Sequence, residues 1–394
     1  MSETDPTISF QAGPDGALPP DATYTEENGG VCPMRLERTG RRVTVLRSRA
    51  AVVAALSDPR FSTRAPIDSA TAATAYRSPQ DLQCIDRPAI TRLRRPLSAS
   101  LSERNLERRG PEITHIAQAH ASAFAAGNQQ DLIAGYCEPF VAEAVTTSVG
   151  VPREDWPKIK QLSDETLGLL TGDEDEPHKV RASWDRLYKY TAKVIAAKET
   201  NPDGSVVEGM IKSLKSGELD EDEILHTTAA MMIGFPSPLP ILSICAVEIL
   251  QRPDVIQTCL NEPALWGKAV DELLRYKAHF PFTAVRIAKE DVELKDGTII
   301  TKGEVVLPSL TAAAYDPEKV AEPEKFDIHQ DASRSIVFAA GPHFCPGTAM
   351  SRQWLGIGLK ELFTTLPNLS LGVSVEDIEW EEGLLPLPKA IPVR

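Results

Sequence analysis

Phe338-Ala339-Ala340-Gly341-Pro342-His343-Phe344-Cys345-Pro346-Gly347 sets one cysteine in a loop bracketed by Gly and Pro, directly ahead of a helix-forming run. Gly341 admits a backbone turn closed to residues with a Cβ, and Gly347 lets a flat group lie close against the chain. Pro346 suits the first helical position, where a missing N–H costs nothing. A sulfur at that helix start faces the positive end of the macrodipole and unpaired N–H groups, which favour thiolate over thiol. The helix is expected from just after Pro346 to about Leu366: Leu355, Leu359, Leu362 and Phe363 share one face, and Pro367 stops it. A bare Cys-Pro-Gly is ordinarily a buried cysteine in a tight turn. The longer spacing makes this cysteine a candidate ligand.

Around that loop the chain reads as one domain over residues 1–394, with an irregular segment over about 1–30 rich in Pro, Gly and acidic groups. No Gly/Ser tract, charge block or repeat divides it. The formal net charge of -14 opposes approach to a phosphate backbone or to anionic lipid, so no nucleic acid and no membrane is expected among the partners. Six cysteines are scattered without a CxxC pair, as reduced thiols would be, and Met1 to Pro20 lacks the basic and apolar regions of a secretory signal. A cytoplasmic location follows as an expectation.

From about Leu101 to Tyr276 the apolar spacing is helical; Val180, Trp184, Leu187, Tyr188, Val194 and Ile195 recur at three, four and seven. Short apolar runs near Val43 to Leu46 suggest a small sheet. Near Asp291 the period changes to two: Val292 and Leu294 alternate, Asp296-Gly297 offers a tight turn, and Val305 and Leu307 alternate again, which reads as a β-hairpin region.

The pattern Phe-x-x-Gly-x-His-x-Cys-x-Gly at 338–347 resembles the haem-binding loop of the cytochrome P450 family, soluble bacterial type. The resemblance runs from about residue 30 to the C-terminus. It implies a mainly α fold with small β-sheets, a triangular prism with haem b between a long central helix and the helix after the cysteine loop. By the same resemblance Cys345 is the axial iron ligand, Phe338 packs near the sulfur, Gly347 lies beside the cofactor and His343 meets a haem propionate. Glu272 and Arg275, three apart on one helix face about seventy residues before Cys345, match the family's Glu-x-x-Arg brace. Arg286 and Arg94 match the arginines that bind the two propionates, a task suited to a charged fork. Three departures stand out. Ile90 replaces a histidine, implying one propionate hydrogen bond fewer; Gln330 replaces an arginine for which Arg334 is a nearby substitute; and Ala314-Tyr315 replaces Asn-Arg.

Residues 220–251 match the family's long central helix, with Gly234 at its glycine. An acid and a threonine follow in the family; here Pro236 and Ser237 follow, then Pro238 and Pro240. Proline removes a backbone donor and crowds the carbonyl four residues earlier, so a break or strong kink is expected near Phe235. Reducing dioxygen consumes two protons, which the acid–alcohol pair ordinarily relays. In this chain Gly234, Pro236 and Ser237 form the candidate catalytic groove, with Ser237 able to supply a hydroxyl and the carbonyls of Met232 and Gly234 free to hold water or substrate. Ile233, Phe235 and Phe282 are candidate linings of an apolar substrate pocket.

The resemblance implies a monooxygenase acting on a small to medium organic molecule of specialised metabolism, with a ferredoxin and ferredoxin reductase as electron donors. The proline cluster keeps a second haem-thiolate chemistry in view, namely peroxide-driven oxidation, oxidative coupling or rearrangement. A non-catalytic scaffold or activator of the same shape is the third reading.

Overall fold

The computed structural model describes residues 6–8, 30–36, 42–64, 82–128, 130–171, 177–277, 280–381 and 385–394. Most of the irregular opening segment expected over 1–30 lies outside these residues.

Ten short strands and thirteen α-helices are found among the described residues. A six-stranded sheet gathers β1 (Thr7–Ile8), β2 (Val31–Leu36), β3 (Arg42–Leu46), β4 (Phe61–Ser62), β5 (Arg286–Ala288) and β8 (Val305–Pro308) in the order β1-β2-β3-β8-β5-β4. It joins the first sixty residues to the segment just before the cysteine loop: β3 runs parallel to β8 with Val45 opposite Leu307, and Arg286 sits opposite Val306. The short hairpin consists of β6 (Val292–Glu293) and β7 (Ile299–Ile300), with Gly297 at φ +83° in its turn. The alternating run at Val305 and Leu307 therefore belongs to the large sheet and not to that hairpin, because both faces of β8 are buried. Strands β9 (Trp380–Glu381) and β10 (Leu387–Pro388) pair near the C-terminus.

The helices are α1 (Arg49–Ser57), α2 (Ala89–Ser100), α3 (Glu103–Ala126), α4 (Glu138–Val149), α5 (Trp156–Thr171), α6 (Pro177–Thr200), α7 (Val206–Lys215), α8 (Glu221–Gly234), α9 (Pro238–Leu250), α10 (Pro253–Asn261), α11 (Trp266–Tyr276), α12 (Leu310–Ala314) and α13 (Thr348–Thr365). Helix α8 opens on a capping box, Asp220 and Glu223 each receiving the other's backbone N–H. On α13 the predicted stripe of Leu355, Leu359, Leu362 and Phe363 is buried against the body of the protein. Helix α13 begins at Thr348 with Gly347 as its N-cap, so Pro346 precedes the cap instead of occupying the first turn.

Glu221–Leu250, spanning α8 and α9, is long and apolar enough to cross a bilayer, yet 83% of its apolar window is buried inside the protein. Every residue from Ile241 to Leu250 is buried, which makes α9 a core helix.

Candidate functional site

The cysteine loop is held by its own backbone. Cys345 N donates to the Phe338 carbonyl at 2.9 Å, and Phe344 N to Gly341 at 3.1 Å, closing a single 3-10 turn over Gly341–His343. Gly341 sits at φ +68°, and a Cβ there would collide with the carbonyl oxygen of Leu56 on α1, so conformation and space both demand glycine. Ala339 is also left-handed, at φ +63°, a strain of about 1–3 kcal/mol that an alanine does not announce in a sequence. Phe338 is buried beneath the Arg352 guanidinium, 5.1 Å from its ring, and Arg352 is fixed by Asp271 at 2.6 Å and by the Ser333 carbonyl at 2.9 Å. At Gly347 the nearest atoms a Cβ would meet include Cys345 Sγ at 3.9 Å, so the glycine keeps the surroundings of the sulfur open.

Burial pushes the Cys345 thiol up, and the Gly347 amide, Arg94 and the Thr348 hydroxyl only partly oppose it. Desolvation outweighs the Gly347 amide, the Arg94 cation and the Thr348 hydroxyl, and a bound metal ion would displace the thiol proton.

Beside the sulfur lies a positive cluster. Arg94, on α2, donates to the carbonyls of Pro342 and Phe344 in the loop. Arg286, on β5, donates to those of Ala284 and Val285. His343 is pushed down to about 3, chiefly by burial and then by Arg286 and Arg94, with Asp86 and the backbone at Ile85 pulling the other way. These two guanidiniums thus maintain a positive potential around a neutral imidazole while donating to uncharged carbonyls, a setting that favours anionic groups. A half-buried thiol next to such a cluster fits haem b: the sulfur for the iron, and Arg94, Arg286 and His343 for propionates. Ile90 is fully buried in the hydrophobic core, so at that position an aliphatic contact replaces a polar one.

The brace behind the loop is complete, by a different route from the one expected. Glu272 and Arg275 are 0% and 1% exposed and form a fork of two 2.8 Å bonds. Arg275 also donates to the carbonyls of Pro323 and Lys325. Gln330 itself reaches Glu272 Oε1 at 2.6 Å, alongside the Asp327 amide at 3.0 Å. Arg334 is exposed, its carbonyl accepts from Arg49 and its charge acts on Asp331, while the bond to Glu272 comes from Gln330. Tyr315, in place of the family's arginine, lies under Arg275 at 5.2 Å and donates to the Tyr276 carbonyl.

The break in the long helix falls at residues 235–237, as the prolines dictate. The path stays helical, with Phe235 at φ −66° and ψ −32° and Ser237 at φ −57° and ψ −28°; what fails is the hydrogen-bond ladder. Ser237 N turns to Gly234 O at 3.2 Å, and Ser237 Oγ donates to the same carbonyl at 2.7 Å. Gly234 O, expected to be free, is therefore doubly occupied. The Ile233 carbonyl, which Ser237 N would have served in a regular helix, receives Ser163 Oγ from α5 at 2.6 Å. Sequence reading missed Ser163, since a lone serine on another helix carries no signal.

Between Thr227 and Leu239 the accessible positions are Ala230, Gly234 and Ser237, spaced by four and three, and nothing lies within 4 Å of a Cβ placed on Gly234. Ile233 and Phe235 are 4% and 6% exposed and pack into the main core behind that face; Phe282 packs with Ile8, Met34, Val43 and Val45 in the core of the large sheet. Helical geometry turns the neighbours of Gly234 by about 100° away from its face. The half-buried Thr283 and Ala284, between Phe282 and Arg286, are the accessible residues of that segment.

A family model described as Cytochrome P450 matches residues 178–390. The chain is 30% identical to cytochrome P450-SU2 of Streptomyces griseolus over 83% of its own length and 81% of that protein. It is 26% identical to nocardicin C N-oxygenase of Nocardia uniformis subsp. tsuyamanensis, covering both chains completely. Among solved structures it is similar to the putative thioether synthase SgvP, involved in the tailoring step of griseoviridin, at a TM-score of 0.87 and 26% identity over 99% of this chain and 100% of that one. The thiol, the positive cluster and the buried brace are thus accounted for together: the chain belongs to the cytochrome P450 family and is a haem-dependent monooxygenase.

Proposed function

We propose that the protein oxidises a small to medium organic substrate of bacterial specialised metabolism, with Cys345 as the axial ligand of haem b. The observation that carries this reading is the Cys345 sulfur in its backbone-held loop beside Arg94, Arg286 and His343. Haem with a thiolate ligand supplies activation of dioxygen, with the sulfur's electron donation favouring O–O cleavage. In balance, one oxygen atom enters the substrate and the other leaves as water, consuming two electrons and two protons. A ferredoxin and its reductase supply the electrons, in line with the family. The residues of the chain do the rest. Arg94, Arg286 and His343 anchor the carboxylates of the cofactor, and Glu272, Arg275 and Gln330 hold the approach to the cysteine loop. Gly234 leaves the helix face without a side chain.

A second reading, oxidative coupling or peroxide-driven oxidation, is favoured by one feature. Pro236 stands at the acid position, and the Ser237 proton is engaged with Gly234 O, so neither residue offers a proton to relay. The putative thioether synthase among the similar structures fits such chemistry. Turnover with ferredoxin, reductase and NADPH is to be compared with turnover on hydrogen peroxide alone. Strict dependence on the electron-transfer chain rejects peroxide-driven oxidation; equal or better turnover on peroxide replaces dioxygen-driven monooxygenation with it.

A further inference from the structure

Residues 235–241 contain no hydrogen-bond donor that is still available. Pro236, Pro238 and Pro240 have no N–H. The remaining amides are engaged: Phe235 N with Met231 O at 3.2 Å, Ser237 N with Gly234 O at 3.2 Å, Leu239 N with Pro236 O at 3.0 Å and Ile241 N with Ser237 O at 3.3 Å. The two neighbouring hydroxyls are engaged too, Ser237 Oγ with Gly234 O at 2.7 Å and Ser163 Oγ with Ile233 O at 2.6 Å. A broken helix ordinarily exposes free amides at the start of its second half. The prolines have removed them here, while the amides that would serve Met232 O and Phe235 O are respectively absent and turned to Pro236 O. Over residues 230–241 the one polar side chain on the accessible face is that of Ser237, whose oxygen has lone pairs to offer once its proton is directed at Gly234 O. Rotating that proton outward would forfeit the 2.7 Å bond and leave Gly234 O with the longer contact from Ser237 N.

We propose that Ser237 is a specificity-determining residue that accepts a hydrogen bond, so that the site selects organic substrates carrying an N–H, O–H or S–H group over the same molecules with that group capped. The proposal rests on the haem-thiolate reading and specifies the substrate class for it. A ligand with only acceptors would set lone pairs against lone pairs at this face. A donor-bearing ligand supplies the partner that the helix lacks.

The test uses the full-length holoprotein and two matched pairs of probes, 2-naphthol with 2-methoxynaphthalene and indole with 1-methylindole. Dissociation constants are read from the haem spin-state shift and, independently, by calorimetry. The donor member of each pair is expected to bind about tenfold tighter, the weight of one hydrogen bond in a desolvated site. Ser237→Ala is expected to bring each ratio to about one, and Ser237→Thr to restore it. Equal binding within the pairs, preference for the capped members, failure of both pairs to bind, or a ratio unchanged in Ser237→Ala each overturns the proposal. Absence of a thiolate-type Soret band from the reduced carbonyl complex overturns the haem-thiolate reading itself, and is scored before any probe is added.

Discussion

Cys345 and Glu272 show how much a single side chain depends on what surrounds it. Desolvation opposes ionisation of the half-buried Cys345 thiol, and ligation to a metal ion favours it. Cys345→Ala is therefore expected to abolish the thiolate-type Soret band of the reduced carbonyl complex while leaving the far-ultraviolet circular dichroism of a helical protein. Glu272 Oε1, itself fully buried, accepts from Arg275, Gln330 and the Asp327 amide. Gln330→Ala removes one of these donors from a buried carboxylate and is expected to lower unfolding free energy by about 1–3 kcal/mol, as read by urea denaturation. Arg334→Ala is expected to leave it nearly unchanged, since the carbonyl that Arg49 uses is kept and the lost charge acts on the exposed Asp331. Cys345, Glu272, Arg275, Arg94 and Arg286 were legible in the sequence because each matches a motif position of the cytochrome P450 family. Gln330 was not, because an amide that replaces a guanidinium is recognisable only when its distance to the carboxylate is seen. Ala339 was not either: its strained φ is imposed by the loop, and nothing in an alanine side chain signals it.

At the scale of the element, the α8–α9 helix shows a local rule kept and its consequence redirected. Three prolines broke the ladder where they should, yet the helical path persisted because both halves are buried in the same core. An apolar residue beside a functional glycine is not on the glycine's face, and periodicity places Ala230 and Ser237 there while Ile233 and Phe235 turn inward. The hairpin was misread where a buried strand, β8, alternates no more than a core strand must. Ser163 on α5 now supplies the donor that the Ile233 carbonyl lost to the break. Ser163→Ala leaves that buried carbonyl unpaired and is expected to cost about 1–3 kcal/mol of stability by urea denaturation. Pro236→Ala, by contrast, gives Met232 O an amide again and is expected to raise stability, by up to about 3 kcal/mol, with the thermal midpoint as the check.

Across the whole molecule the single large core sets the response to pH. Cys137, on the short π-helical segment ahead of α4, is wholly buried, and burial pushes its thiol up to about 12 from an ordinary value of 9.0. Cys245 on α9 is shifted in the same direction and by the same cause. Below pH 9 the thiols of folded and unfolded chains are both protonated and contribute no pH dependence. Above it the unfolded chain releases the Cys137 proton while the folded chain keeps it until about pH 12. The unfolded state then binds fewer protons, so stability falls as pH rises, with a limiting slope of about 1.4 kcal/mol per unit for that one thiol. Cys137→Ala leaves a small cavity and lowers stability at every pH by one amount, but it removes the titrating group. The separation between wild type and variant in urea denaturation is therefore expected to be constant from about pH 7 to 8.5 and to narrow steadily from about pH 9 to 11. Parallel curves throughout that range would mean that the thiol reaches solvent in the folded protein and that the core around α4 and α9 is looser than the structure describes.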